Sequence, residues 1–245
     1  MIKKLTTLGV ALSLLSGVAF AQDANKMQQK LNKQFPALSV ENVEYVKDIN
    51  LYELKMKGNT SLAYTNENND YFLINGEIVD VKNKVNYSKD REFSKVRKFY
   101  NSLPTEKAIV VKYGKGTRKM AVFTDPDCPY CKALDKEIHT KLTNSDITVY
   151  YYMNPLNIPG HEQAPLKAAK IWCDKDRSKA WVNWMLNGVL PNNDGTCKNP
   201  VAETKKFSTE VGFNGTPTII FDNGYTANQQ LTAEQITQVF SAKKP

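Results

Sequence analysis

Two cysteines separated by two residues are the part of this sequence best suited to chemistry. Cys128 and Cys131 lie where the apolar segment 122–124 passes into a predicted helix beginning near Pro129. The first turn of a helix offers free backbone N–H groups and the positive end of the helix dipole, and both stabilise a thiolate. We therefore predict that Cys128 is the attacking sulfur. Cys131, one turn deeper and more shielded, is the resolving thiol with the higher pKa.

Three other uses of the C-x-x-C motif are open. A structural zinc site would need two further ligands, and no second closely spaced pair is present. The other candidate ligands are His139, His161, Cys173 and Cys197. Covalent haem attachment requires a histidine directly after the second cysteine, but residue 132 is Lys. An inert disulfide is disfavoured because closing so short a loop gains little chain entropy. We expect neither a metal nor another cofactor.

Two aspartates lie close to the motif, and the chain has two histidines. Asp125 and Asp127 precede Cys128, and their negative charge would oppose formation of the thiolate. His139 falls on the predicted active-site helix, and His161 follows a Pro-Gly pair. We expect both histidines at the surface, where neither is placed to act as a base.

The remaining two cysteines, Cys173 and Cys197, are 24 residues apart, one on an apolar helical stretch and one in a polar loop. Nothing beside either residue favours a thiolate. A disulfide closing this loop would stabilise the fold by about 3.5 kcal/mol on the chain-entropy model. We predict a structural disulfide here rather than a second redox pair.

A proline stands at the start of a later apolar strand, in the segment Gly215-Thr216-Pro217. A proline at that position is sterically tolerated and by itself says little. Together with C-x-x-C it is typical of thioredoxin-like folds, in which a cis proline faces the redox pair. We predict a cis bond between Thr216 and Pro217, and backbone groups of Thr216 that pair with a bound peptide.

The elements that must position these residues change character along the chain. Residues 22–88 contain a short polar helix (23–34) and short strands (51–57, 62–65, 71–74 and 77–81), which make a small domain with little core. Residues 89–104 read as a linker helix that stops at Pro104. Residues 105–245 alternate strands and helices, with a long helical stretch over 162–211 that is broken near Gly188 and Pro200.

The N-terminus and the overall charge bear on location and partners. Residues 1–21 combine two lysines, an apolar run and a small-residue cleavage site, which predicts a secretory signal peptide that is removed. The chain carries a net charge of +8, but its lysines are scattered and no aromatic-basic interleaving is present. We therefore expect an exported protein that binds no nucleic acid and is not inserted in a membrane.

Over nearly its whole expected mature length, the sequence resembles the periplasmic disulfide isomerase family of DsbC and DsbG. The matching segments are Phe123-Thr124-Asp125, Ile147-Thr148-Val149, Ile171-Trp172-Cys173 followed by Lys175-Asp176, and Gly215-Thr216-Pro217. The stretch from Asp125 to Cys131 is closer to DsbG, whereas the Cys173/Cys197 pair favours DsbC. The resemblance implies an α+β fold: an N-terminal β-rich dimerisation domain, a linker helix, and a C-terminal thioredoxin-like domain with a helical insertion.

The same resemblance implies a V-shaped homodimer with two redox sites facing an apolar cleft. Its substrates would be misfolded periplasmic proteins with wrong disulfides, and a membrane thiol reductant of the DsbD type would keep Cys128 reduced. Two other functions stay open. One is a DsbA-like oxidase that donates its disulfide, since the Pro129-Tyr130 dipeptide between the cysteines also tunes the reduction potential. The other is a holdase chaperone in which the cysteines are secondary.

Overall fold

The computed structural model describes residues 13–57 and 62–242, with side chains from residue 23 onward. Within these ranges the chain forms two compact units, one up to Glu92 and one from Phe93 onward. The boundary between the units falls inside a helix, after Glu92.

The N-terminal unit is a helix packed on a four-stranded antiparallel sheet. Helix α1 spans Ser13–Gln34, and the strands follow in chain order: β1 (Val40–Val46), β2 (Leu51–Met56), β3 (Leu62–Thr65) and β4 (Phe72–Ile74). Leu31 and Met27 of the helix are buried against Val43 and Leu54 of the sheet. β4 is an edge strand, so one row of its backbone groups has no partner within the sheet.

A two-stranded hairpin and a helix complete this part of the chain. The hairpin consists of β5 (Val79–Asp80) and β6 (Val85–Asn86), and helix α2 spans Tyr87–Asn101. Arg91 of α2 binds the buried carboxylate of Glu53 in bidentate fashion, with both N–O distances 3.1 Å. This interaction anchors the first turns of α2, because a buried carboxylate requires a charged partner.

The C-terminal unit is built on a five-stranded mixed sheet. Its strands are β7 (Ile109–Tyr113), β8 (Arg118–Thr124), β9 (Ile147–Met153), β10 (Thr218–Phe221) and β11 (Thr226–Ala227). The strand order is β11-β10-β8-β9-β7, and only β8 and β9 run parallel. Residues 120–124 of the central strand β8 are all buried, because helices cover both faces of the sheet.

Besides the C-terminal part of α2, five α-helices lie in the described part of this unit. They are α3 (Pro129–Lys141), α4 (Ala164–Trp172), α5 (Arg177–Asn187), α6 (Val201–Glu210) and α7 (Ala233–Ser241). The predicted helical stretch over 162–211 is thus broken at a point that the sequence analysis does not predict, after Trp172. There the Asp176 carboxylate accepts a hydrogen bond from the Lys179 backbone N–H at 3.0 Å and caps α5.

The expected signal peptide falls largely on residues that the structure does not describe. Its first 12 residues lie outside the described part, and α1 continues through the expected cleavage point between Ala21 and Gln22. In residues 13–57 and 62–242, no helix combines the length and the apolar character needed to cross a bilayer.

Candidate active site

The redox motif lies at the junction of the central strand with helix α3. β8 ends at Thr124, a short turn follows, and Cys128 is the N-cap residue of α3 with Pro129 in its first turn. The Cys128 backbone N–H donates to the Asp125 carbonyl at 3.2 Å, which closes the turn. Both cysteines are free thiols. Cys128 is 3% exposed and Cys131 is fully buried.

The two thiols are electrostatically unequal. Hydrogen bonding from the Cys131 thiol is the largest influence that lowers the pKa of Cys128, to about 6. Contacts with Thr216 and with backbone N–H groups of the first helical turn lower it further, and burial opposes them. Burial raises the pKa of Cys131 far above its ordinary value, and the neighbouring Cys128 raises it further. A thiolate at Cys128 beside a neutral Cys131 is the state that these environments favour.

The strand that starts at Thr218 brings a second part of the chain to the sulfur. The bond between Thr216 and Pro217 is cis, as expected from the sequence. The protonated Cys128 thiol donates to the Thr216 carbonyl at 3.4 Å. The Thr216 hydroxyl is buried and has no oxygen or nitrogen partner among the described residues. It is available to donate to the sulfur once Cys128 is deprotonated.

The two aspartates near Cys128 do not present free charges to it. The Asp125 side chain is buried and accepts hydrogen bonds from the backbone N–H groups of Asp127 and Leu156, each at 2.7 Å. The Asp127 carboxylate lies 2.5 Å from the Lys167 ammonium of α4. The predicted opposition to the thiolate is therefore reduced, because each carboxylate has a donor of its own, although Oδ2 of Asp127 is buried without a partner among the described residues.

Helices α4 and α5 contribute residues to this site that the sequence does not predict. Trp184 of α5 donates its ring N–H to the Pro126 carbonyl at 2.7 Å, and the ammonium groups of Lys132 and Lys167 each lie 5.0 Å from the centre of its ring. These contacts fasten the turn before Cys128 to α4 and α5. In this part of the sequence only the Ile-Trp-Cys segment at the end of α4 matches the family, and that match does not point to Lys167 or Trp184.

The prediction that both histidines are surface residues is wrong. The His139 side chain is fully buried on the core face of α3, between the Asp135 carboxylate at 2.7 Å and the Tyr113 hydroxyl at 2.6 Å. His161 is 11% exposed, and its Nδ1 donates to Asp125 at 2.8 Å. Polar partners inside the fold compensate the burial of both rings, and a sequence pattern does not reveal such partners.

The other cysteines lie apart from this site as a covalent pair. Cys173 and Cys197 form a disulfide with an S–S distance of 1.99 Å, the pairing expected from the sequence. Two sulfurs bonded to each other are not available as zinc ligands, which weakens the zinc alternative. In the described ranges, no group of three or more His, Cys, Asp or Glu side chains is arranged to hold a metal ion.

Comparisons with known protein families cover both units. Residues 105–244 match the family described as thioredoxin-like domain, and residues 17–89 match the one described as disulfide bond isomerase protein N-terminal domain. These matches confirm the predicted α+β fold with a thioredoxin-like C-terminal domain.

Individual relatives agree with the family matches. The probable thiol:disulfide interchange protein DsbC of Bordetella parapertussis is 28% identical over 214 residues, covering 87% of this chain and 72% of the relative. The thiol:disulfide interchange protein DsbC of Salmonella typhimurium is 31% identical over 220 residues, covering 87% and 84%. A crystal structure of a disulfide interchange protein from Neisseria gonorrhoeae is 43% identical with a TM-score of 0.53, covering 58% of this chain and 99% of that one. This chain therefore belongs to the DsbC family of thiol:disulfide interchange proteins.

Proposed function

We propose that this protein is a periplasmic disulfide isomerase that rearranges non-native disulfides through a mixed disulfide at Cys128. The observation that carries the proposal is the inequality of the two thiols: the pKa of Cys128 is about 6, while that of Cys131 is strongly raised. At neutral pH Cys128 is then mostly thiolate, the form that attacks disulfides, and Cys131 stays protonated until it is needed.

The reaction follows from this inequality. The Cys128 thiolate attacks one sulfur of a substrate disulfide, a bond forms between the two sulfurs, and the other substrate sulfur leaves as a thiolate. If a different substrate thiolate then attacks the mixed disulfide, a new substrate disulfide forms and Cys128 leaves as the thiolate, with no net oxidation. If Cys131 attacks instead, the substrate is released reduced. The Cys128–Cys131 disulfide that results must then be reduced by an external dithiol.

Substrate contact is proposed at Thr216 and Pro217. The Thr216 carbonyl lies 3.4 Å from the Cys128 sulfur, so an extended substrate segment bonded to Cys128 would pass beside the Thr216 backbone. Backbone pairing at this point would hold a substrate without reading its sequence, as an isomerase with many substrates requires.

We further propose that residues 22–88 form the dimerisation domain of a homodimer, joined by the helix near residues 89–104 to the catalytic domain 105–245. Around the edge strand β4 and in the hairpin that follows it, several large apolar side chains are exposed, which are Tyr71, Leu73, Ile74, Val79 and Val81. Such an edge invites pairing with a second copy. Two sites in one dimer would let a substrate released from one Cys128 meet the other before it escapes.

Location and partners belong to the same proposal. Export by the expected signal peptide would place the protein in the oxidising periplasm, where misfolded disulfide proteins arise. A thiol reductant in the membrane, of the DsbD type, would return the Cys128–Cys131 disulfide to the dithiol form. A Cys173–Cys197 disulfide 24 residues apart in sequence is consistent with that oxidising location.

The test compares isomerisation with simple reduction in an edge-strand variant. Ile74→Lys places a charge on β4, and Val110→Lys is the matched control because Val110 is a similarly exposed residue on β7, an edge strand of the other sheet. We expect Ile74→Lys to sediment as a monomer, to reactivate scrambled ribonuclease at least tenfold more slowly, and to keep reducing a small disulfide. Val110→Lys should resemble the wild type.

Two results would contradict the proposal. One is a wild-type protein that sediments as a monomer. The other is a monomeric Ile74→Lys variant that reactivates scrambled ribonuclease as fast as the wild type. The first result would favour a DsbA-like dithiol oxidase, which needs only a single encounter with its substrate. The second would show that isomerisation by Cys128 does not depend on the dimer.

A further inference from the structure

The C-terminal unit contains a cavity of about 440 Å³, and two of the residues that line it hydrogen-bond to Asp125, three residues before Cys128. Its walls come from the loop between β9 and α4 and from the start of α6. The side chains that line it are mainly apolar and include Leu156, Ile158, Pro165, Val201 and Ala202. Its volume falls within the range of about 300–1,000 Å³ that is usual for ligand sites.

The cavity is joined to the redox site through one buried carboxylate. Asp125 accepts hydrogen bonds from the Leu156 backbone N–H at 2.7 Å and from His161 at 2.8 Å, and both of these residues line the cavity. The carbonyl of the same Asp125 accepts the Cys128 backbone N–H at 3.2 Å. A single residue therefore connects the cavity wall to the turn that carries the attacking sulfur.

Most of the polar side chains at the cavity already have partners within the protein. The Lys205 ammonium donates to the buried Asn154 side chain at 3.2 Å, and the Glu162 carboxylate accepts from the Gly160 backbone N–H at 3.0 Å. His161 is bound to Asp125 as described above. What the cavity offers a ligand is therefore mainly apolar surface, and Ile158 on its wall is 49% exposed.

We propose that this cavity binds a large apolar side chain of the substrate polypeptide while a neighbouring cysteine of that polypeptide is bonded to Cys128. The inference rests on the proposed function, since it assigns a recognition site to the same reaction. Misfolded chains expose leucine and phenylalanine residues, and a side chain of that size would leave water on entering the cavity. The site would thus favour disulfides with a large apolar neighbour over equally reactive ones in polar segments.

The test uses two peptides that carry the same cysteine, linked as a disulfide to glutathione, and flanked by leucines or by glycines. For wild-type protein we expect Cys128 to react about tenfold faster with the leucine peptide, because burying one such side chain is worth about one order of magnitude in binding. The ratio of the two rate constants is the readout, because it cancels any effect on the reactivity of Cys128 itself.

Ala202→Trp is the variant that fills the cavity, since Ala202 is an exposed residue of the first turn of α6 that lines it. Thr209→Trp is the matched control, because Thr209 is exposed on the same helix outside the cavity. The rate ratio should fall to nearly one in Ala202→Trp and stay near ten in Thr209→Trp. A wild-type ratio of one, or a ratio that Ala202→Trp leaves unchanged, would overturn the proposal.

A second measurement separates this proposal from the proposed function. N-acetyl-leucinamide, with N-acetyl-glycinamide as the reference, is added to full-length protein, and the methyl NMR signals of Leu156 and Ile158 are followed. Shifts caused by the leucine compound alone support an apolar side-chain site even if the protein fails to react with any disulfide, an outcome that would refute only the proposed function. Absence of such shifts refutes the site itself.

Discussion

Replacing Cys131 by alanine should raise the pKa of Cys128. Hydrogen bonding from the Cys131 thiol is the largest influence holding the pKa of Cys128 at about 6. A hydrogen bond to a charged group contributes about 1.5 kcal/mol or more, which corresponds to about one pKa unit. At pH 6 the thiolate fraction of Cys128 should therefore fall from about one half to about one tenth, a fivefold loss of reactivity.

The assay is the rate of alkylation of Cys128 by iodoacetamide between pH 4 and pH 9, with the modified residue identified by mass spectrometry. Cys131→Ser is the matched control, because its hydroxyl keeps a donor of similar size facing Cys128. We expect the midpoint of Cys131→Ala to rise by about one unit and that of Cys131→Ser to rise less. An unchanged midpoint in Cys131→Ala would refute the assignment of Cys131 as the donor.

The lowered pKa of Cys128 also links stability to pH. Because folding lowers this pKa from 9.0 to about 6, the reduced folded protein gains stability as pH rises from about 6 to about 9 and loses it as pH falls through about 6. At pH 7 the gain is about 1.4 kcal/mol, which equals about 30 mV in the reduction potential of the disulfide. Urea denaturation of the reduced protein at pH 5 and pH 7 should show this difference in excess of a Cys128→Ser variant. An equal pH dependence in the two proteins would contradict it.

Two further predictions concern residues around the redox pair. Lys167→Met removes the ammonium that lies 2.5 Å from Asp127, so it should raise the pKa of Cys128 and make the reduction potential more negative. Adding Asp127→Asn should reverse both changes. The same alkylation assay measures the pKa, and equilibration with glutathione measures the potential. Removing the Cys173–Cys197 disulfide by double serine substitution should lower the free energy of unfolding by about 3.5 kcal/mol while a folded protein keeps its rate of small-disulfide reduction. Loss of turnover in the folded double variant would instead indicate a second redox pair.

The sequence predicts a strand or a helix where apolar residues recur at a regular spacing. In β1 the spacing is irregular, and the strand is not predicted. The buried residues of β1 are Val40, Val43 and Val46, which are spaced by three instead of two. An irregularity in its pairing with β2 between Val40 and Asn42 interrupts the alternation that identifies a strand. The sequence also does not predict the break after Trp172, because no glycine or proline marks the end of a helix there. The side chain of Asp176 caps the start of α5 instead.

The sequence by itself determined the local chemistry of this protein. A cysteine at the first turn of a helix with another one turn later, and a proline at the start of a strand, are local patterns whose physical meaning holds in any fold. Only the tertiary structure decided which other side chains surround these residues. Lys167 and Trp184 lie 39 and 56 residues after Cys128 along the chain, and they reach its turn only because α4 and α5 pack beside it. His161, in the loop between β9 and α4, likewise reaches Asp125 from 36 residues away in sequence. Contacts of this kind depend on how helices pack, and a single sequence carries no local signal for them.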